Sequence, residues 1–156
     1  NFMGIERTVA KSVGFAMIYG ATEETIAETA KVFDLGRARE FKRLWFDKYV
    51  EAGNWIEAQQ EMGLRTGQVL TLFGRKIWLP MEESDDKVRR KAVNYTIQAS
   101  AAEIMKRSIV KCRQLNLVLQ VYDELLIDGE VELPSGLDSI SPLSTPYEVR
   151  RLERWE

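Results

Sequence analysis

Four side chains near the start of the chain, Arg7, Lys11, Phe15 and Tyr19, recur every four residues in the stretch ERTVAKSVGFAMIYG. On an α-helix that interval advances the side chain by about 40° and the axis by roughly 6 Å, so the four form one drifting stripe roughly 18 Å long. The order along it is cation, cation, ring, phenol. A nucleoside triphosphate presents the complementary order: charged phosphates that accept from Arg and Lys, then a sugar and base that lie on a flat apolar surface. Far along the chain, Asp123 and Glu124 stand with Tyr122 between two apolar runs, Leu115–Val121 and Leu125–Ile127. Two such strands with acids at their join form a hairpin displaying carboxylates at its tip, hard oxygen donors of the kind Mg²⁺ takes. Each pattern also has an ordinary reading. Phe15, Met17, Ile18 and Tyr19 can be core with Arg7 and Lys11 solvated, and Asp and Glu are common at turns.

The elements that must position these residues are punctuated by glycines and caps. Gly20 closes the stripe helix, and Thr22 reads as the N-cap of a short amphipathic helix carrying Ile26, Ala27, Ala30 and Phe33, with Gly36 as its end. A longer helical pattern runs from Ala38 through Phe41, Leu44, Trp45, Tyr49 and Val50 and stops at Gly53. Asn54 then caps a further helix, Trp55 to Met62, with Gly63 and Gly67 bracketing a turn. Val69–Leu72 and Lys76–Leu79, separated by Phe73-Gly74-Arg75, read as a β-hairpin. After the acidic loop 82–86, one helix starts over Lys87–Val93 and a strongly amphipathic one spans Ser100–Arg113. Gly129 to Thr145 is rich in Pro, Gly and Ser and reads as a loop with at most one short strand.

Bulk properties narrow the chemistry. Histidine is absent and Cys112 is the single cysteine among 156 residues. Ser-His and Cys-His nucleophiles, His-ligated metals and an internal disulfide are therefore excluded, leaving carboxylates, Lys, Tyr and Arg. No apolar run approaches the roughly 20 residues that cross a bilayer, so the expectation is a soluble, cytoplasmic protein with no membrane partner. The formal net charge is −2, but it is unevenly divided: Asn1–Gly74 carries −1, Arg75–Arg113 carries +5 and Gln114–Glu156 carries −6. The middle third is where a phosphate backbone could be held; a solvated charged face is the alternative.

Several segments, in one order, resemble the DNA polymerase I family, the family A polymerases. R-x3-K-x3-F-x3-YG over Arg7–Gly20 is similar to that family's fingers helix. TLFGRKIWLP at Thr71–Pro80 is similar to TL-x-G-R-R-x-x-x-P, RKAVNYTIQASAAEIMK at Arg90–Lys106 to R-x3-N-x3-Q-G-T-A-A-D, and LQVYDELLID at Leu119–Asp128 to the hairpin normally written QVHDE. PLSTPYEV at Pro142–Val149 is similar to the closing strand. The resemblance covers nearly the whole chain. It implies an α+β fold, with a mostly helical fingers portion over 1–90 and part of a palm with antiparallel hairpins over 91–156.

It also implies roles in template-directed DNA synthesis. Arg7 and Lys11 would hold the triphosphate of an incoming dNTP, with Lys11 a proton donor to the leaving pyrophosphate. Phe15 would lie under sugar and base, and Tyr19 beside the templating position. Arg75, Arg90, Asn94, Gln98 and Tyr122 would contact primer-template DNA; an exposed turn arginine is the plain alternative at Arg75. Asp123, with Glu124 secondary, would be the carboxylate this chain gives to a site of two Mg²⁺ ions. Tyr122 stands where the family has His, Ala99-Ser100 where it has Gly-Thr and Glu103 where it has Asp. The segment Gly129–Pro142 is short for the helix that follows the hairpin in the family, which suggests a trimmed, phage-like palm.

The family's other metal-binding Asp lies in a D-Y-S-x-I-E-type strand upstream of the fingers helix, and nothing in this sequence resembles it. With Asn1 so close to the key helix, the expectation is a piece of a longer polypeptide, inactive by itself and completed by an upstream part in the same chain or in a split partner. A non-catalytic nucleic-acid-binding remnant is the alternative in another class, against which the retention of Arg7, Lys11 and Asp123 together weighs. A single-subunit RNA polymerase is a further one, disfavoured by Phe15 and by Asp-Glu at 123 and 124.

Overall fold

The computed structural model describes residues 6–32 and 34–153. Five helices and two hairpins follow in order: α1 (Arg7–Ile18), α2 (Glu23–Thr29), α3 (Leu35–Lys48), α4 (Val50–Thr66), β1 (Gln68–Leu70), β2 (Lys76–Trp78), α5 (Asp85–Lys111), β3 (Leu117–Val121) and β4 (Glu124–Ile127). The class is α+β, mostly helical with two small antiparallel sheets. The chain divides into two compact units, 1–97 and 98–156.

In the first unit, local chemistry sets the helix ends. Gly20, at φ 72°, closes α1 with paired bonds from Gly20 N–H to the Met17 carbonyl and from Ala21 N–H to the Ala16 carbonyl, the arrangement that satisfies the last free carbonyls of a helix. The Thr22 hydroxyl accepts from Thr25 N–H and caps α2 as its sequence position predicts. One apolar cluster gathers Val13 and Met17 of α1, Ile26 and Ala27 of α2, Ala38, Phe41 and Trp45 of α3, Ile56 of α4 and Val93 of α5. A second joins Val69, Leu79, Val88 and Ala92, with Met62, Ile77 and Tyr95 against it. Burial of one such aliphatic side chain is worth about 1.5–3 kcal/mol.

Several glycines do not end helices as expected. The α2 helix ends at Thr29, and Gly36 lies in the first turn of α3, its N–H donated to the Asp34 cap at 2.8 Å. Gly53 and Asn54 lie inside α4, which begins at Val50, and Gly63 is buried in that same helix; the α4 terminator is Gly67, at φ 66°. Phe33, placed by its spacing on the apolar face of the second helix, is outside the described residues.

The hairpin β1–β2 has the expected position and pairs Gln68 with Trp78, Val69 with Ile77 and Leu70 with Lys76. Thr71 N–H donates to the Arg75 carbonyl and Gly74 N–H to the Thr71 carbonyl, with Gly74 at φ 80°. That left-handed glycine lets the loop return without splaying the strands. The two helical stretches expected over 87–93 and 100–113 form one helix, α5.

The second unit holds the C-terminal part of α5 and the hairpin β3–β4, paired antiparallel from Leu117↔Ile127 to Val121↔Glu124 with an irregularity between Leu117 and Leu119. Glu124 is therefore the first residue of β4 and not part of the turn. Cys112 is buried beyond the end of α5. Among the described residues no strand follows β4, so Pro142–Val149, similar to a closing strand in sequence, has no ladder here. Lys111 Nζ donates to the Gly136 carbonyl at 3.0 Å, tying the stretch after β4 that precedes Pro142 to α5. No helix of the described residues is long and apolar enough to cross a membrane.

Candidate nucleotide and nucleic-acid site

In the first unit, α1 buries Val13 and Met17, one turn apart, and this fixes the helix's rotation. The seam they make lies on the side of the helix away from Arg7, Lys11 and Phe15, all three of which are exposed. Phe15 is 49% exposed, so it is not the core residue that an ordinary amphipathic helix would make of it. Lys11 Nζ stands 5.8 Å from the centroid of the Phe15 ring, a cation beside an aromatic face. Tyr19, half-buried, is the C-cap of the same helix.

The end of α1 meets the start of α5. A Cβ built on Gly20 would lie 3.1 Å from Cγ and 3.7 Å from Cδ of Arg90, so the Arg90 stem packs against the glycine while the residue remains exposed. Asn94 is one turn further along α5 and half-buried; its Oδ1 is buried with no hydrogen-bond partner among the described residues. A buried acceptor left without a donor costs about 1–3 kcal/mol. Arg75 is exposed in the β1–β2 loop, where its backbone N–H donates to the Thr71 hydroxyl at 3.1 Å.

In the second unit, Gln98 is exposed on α5. The β3–β4 loop consists of Tyr122 and Asp123 alone. Tyr122 is 90% exposed and has φ 50°; the positive φ is confined to this first loop residue, a position that usually takes glycine. Gln120 Nε2 donates to the Tyr122 carbonyl at 3.1 Å and braces the turn. Asp123 and Glu124 are both exposed at this tip. Among the described residues no group of three or more His, Cys, Asp or Glu side chains could hold a metal ion.

A family model for DNA polymerase family A matches residues 3–135. The chain belongs to that family. Curated relatives of this family A chain include the thermostable DNA polymerase I of Thermus aquaticus, 29% identical over 162 aligned residues that take in 92% of the chain and 19% of the relative. DNA polymerase I of Caldicellulosiruptor bescii is 32% identical over 81% of the chain and 16% of its own length. The chloroplastic and mitochondrial DNA polymerase I A of Arabidopsis thaliana is 31% identical over 83% of the chain and 13% of its own length. The family A chain thus spans about a fifth or less of the relatives it matches. In fold it is similar to the polymerase domain of Pol1 from M. smegmatis, solved in complex with DNA primer-template and dNTP, with a TM-score of 0.76 and 24% identity over 91% of this chain and 29% of that one.

Two further features of this family A chain leave weaker marks in its sequence. Trp78 stands 71% exposed on β2, and strict alternation with the inward Ile77 is the signal that marks it. In the second unit, Lys106, Arg107, Lys111 and Arg113 line an open depression of about 670 Å³ with Ile140 on its wall. Of these cations Lys111 lies in the last turn of α5, where the helix dipole favours a positive charge.

Proposed function

We infer that this chain supplies the fingers portion, over 1–90, and part of the palm, over 91–156, of a DNA-directed DNA polymerase. The observation that carries the reading is the α1 stripe: Arg7, Lys11 and Phe15 on the solvent side of a helix whose rotation Val13 and Met17 fix. In the reaction, the primer 3′-hydroxyl gives up its proton to solvent water, its oxygen attacks the α-phosphorus of a dNTP, the new P–O bond forms, and the bond to pyrophosphate breaks. Arg7 and Lys11 neutralise charge on the β- and γ-phosphates, and Lys11 protonates the leaving pyrophosphate. Phe15 carries sugar and base, and Tyr19 lies beside the templating base. Arg75, Arg90, Asn94, Gln98 and Tyr122 contact primer and template; polar groups in the minor groove meet acceptors common to every correct base pair, so they test pair geometry without reading sequence.

Asp123, with Glu124 beside it, would hold Mg²⁺. Their hard, exposed carboxylate oxygens fit an ion that takes one or two protein carboxylates plus water and substrate phosphate. When bound, a pair of such ions makes the primer hydroxyl nucleophilic at neutral pH and offsets the leaving-group charge. Two carboxylates do not complete that site, so the remaining ligand comes from an upstream segment, in the same polypeptide or in a split partner.

Primer extension tests this directly. The chain alone is expected to add no nucleotide, and extension is expected on addition of a polypeptide carrying a D-Y-S-x-I-E-type strand. Robust Mg²⁺-dependent extension by the chain alone would refute the shared site. Primer-template binding without extension in the reconstituted mixture would favour the non-catalytic remnant.

A further inference from the structure

We propose that the outer face of the β1–β2 hairpin is a stacking platform for an unpaired nucleic-acid base, with Trp78 as the platform and Lys76 as its phosphate contact. This goes beyond the active-site reading but rests on its premise that the chain handles DNA. Val69 and Ile77 turn to the core, so the register leaves Leu70 paired with Lys76 and Gln68 with Trp78 on the opposite face. Trp78 is 71% exposed, more than any other large apolar side chain of the first unit's described residues. A tryptophan on a two-stranded hairpin can bury its ring cheaply, and leaving it in water forgoes one of the largest apolar contributions a side chain can make.

Charge selects the occupant. Residues 67–79 include Arg75 and Lys76 and no Asp or Glu. Lys76 is exposed and makes no ion pair among the described residues. The acids that follow are engaged elsewhere or lie beyond the hairpin: Glu83 pairs with Lys91 at 2.7 Å, Asp85 and Asp86 occupy the first turn of α5, and Glu82 is exposed in the loop. An exposed indole and a cation two residues apart on one strand face match a base and its neighbouring phosphate. A duplex hides its base faces, so the ligand is a single strand, bound with little preference for sequence.

The test is titration of the full chain with a short oligo(dT), with the same strand made abasic, and with a primer-template duplex, in the wild type, Trp78→Ala, Trp78→Phe and Lys76→Ala. Trp78→Ala is expected to weaken oligo(dT) binding about five- to 150-fold, the range for loss of one stacked base, with Trp78→Phe recovering much of it. Binding of the abasic strand should be unchanged by Trp78→Ala and weakened by Lys76→Ala. Oligo(dT) should also quench an indole signal that Trp78→Phe removes. Equal oligo(dT) affinity in wild type and Trp78→Ala, with duplex binding intact, would overturn the platform and leave the polymerase reading standing. Wild type that binds no DNA of any kind would overturn both. Concentration-dependent dimerisation abolished by Trp78→Ala would overturn the platform in favour of self-association.

Discussion

The stem of Arg90 lies against Gly20, so that a Cβ at position 20 would stand 3.1 Å from Arg90 Cγ. Gly20 is also at φ 72°. Two penalties thus await any side chain there, and they differ in size. The contact is with a flexible, exposed side chain that can give way, whereas a non-glycine residue in the left-handed region costs roughly 1–2 kcal/mol. Gly20→Ala should therefore destabilise by roughly that amount, and by the same amount within about 0.5 kcal/mol in an Arg90→Ala background. Denaturant unfolding of the four proteins checks this. A cost that vanishes with Arg90→Ala would show that the contact governs.

Gly63 illustrates the opposite balance. Its backbone is helical, but a Cβ would lie 2.7 Å from Ala92 Cβ and 2.9 Å from Leu79 Cδ1. Ala92 is itself a fully buried short side chain. Although alanine is the better helix former by up to about 1 kcal/mol, overpacking costs about 1–3 kcal/mol. Gly63→Ala should therefore lower the thermal midpoint, and a higher midpoint would contradict the close approach of α4 and α5.

These glycines also show what the sequence could and could not convey. Thr22 and Gly74 act through bonds to their immediate neighbours, so their roles were legible from local order alone. Gly53 and Gly63 read as breaks because propensity disfavours glycine in helices. Gly53 in fact leaves room for the Phe46 ring, 3.0 Å from where its Cβ would be, and Gly63 for Ala92 and Leu79. Those reasons lie on other elements, α3 and α5 and the end of the β1–β2 hairpin, and leave no local mark. The α1 stripe was visible as spacing, but its exposure depends on Val13 and Met17 finding partners on α2 to α4. The Arg90–Gly20 contact joins residues far apart in sequence and had no periodic signature.

Acid should weaken the tie between the loop after β2 and α5. The hydrogen bond from Lys91 holds the Glu83 carboxyl below the ordinary carboxylate range, and the same bond raises the Lys91 ammonium. The depressed Glu83 contributes stability above its unfolded pKa that is lost as pH falls through its folded one; the raised Lys91 contributes stability below its unfolded pKa that is lost as pH rises through its folded one. The pair thus holds across neutral pH. Glu83→Gln should show a shallower fall in thermal midpoint from about pH 6 to about pH 3, with part of the fall remaining because Glu24 is also held low, first by its own backbone N–H and then by Thr22. An unchanged slope would remove the pair from the acid limb.

Tyr122 should be a place where stability is given up. With φ 50° and 90% exposure it carries backbone strain and little packing. Tyr122→Gly is expected to raise stability by roughly 0.5–1 kcal/mol, the left-handed penalty less the entropy cost of glycine, whereas Tyr122→Ala should bring no gain. If the phenol contacts DNA, the stabilised variant should bind primer-template more weakly. A Tyr122→Gly protein no more stable than wild type would mean the turn is not strained.

Asp123 is the residue on which the proposed chemistry depends most. The most direct measurement is Mg²⁺-dependent primer extension by the chain reconstituted with the segment that completes the palm, comparing wild type with Asp123→Asn and Lys11→Ala. Asp123→Asn should cost more than about a hundredfold in turnover, beyond the range for residues that only support a metal ligand, while primer-template binding and thermal midpoint stay near wild type. Lys11→Ala should lower turnover and weaken dNTP binding together. Extension by Asp123→Asn within a few-fold of wild type would contradict the assignment of the β3–β4 tip to the metal site.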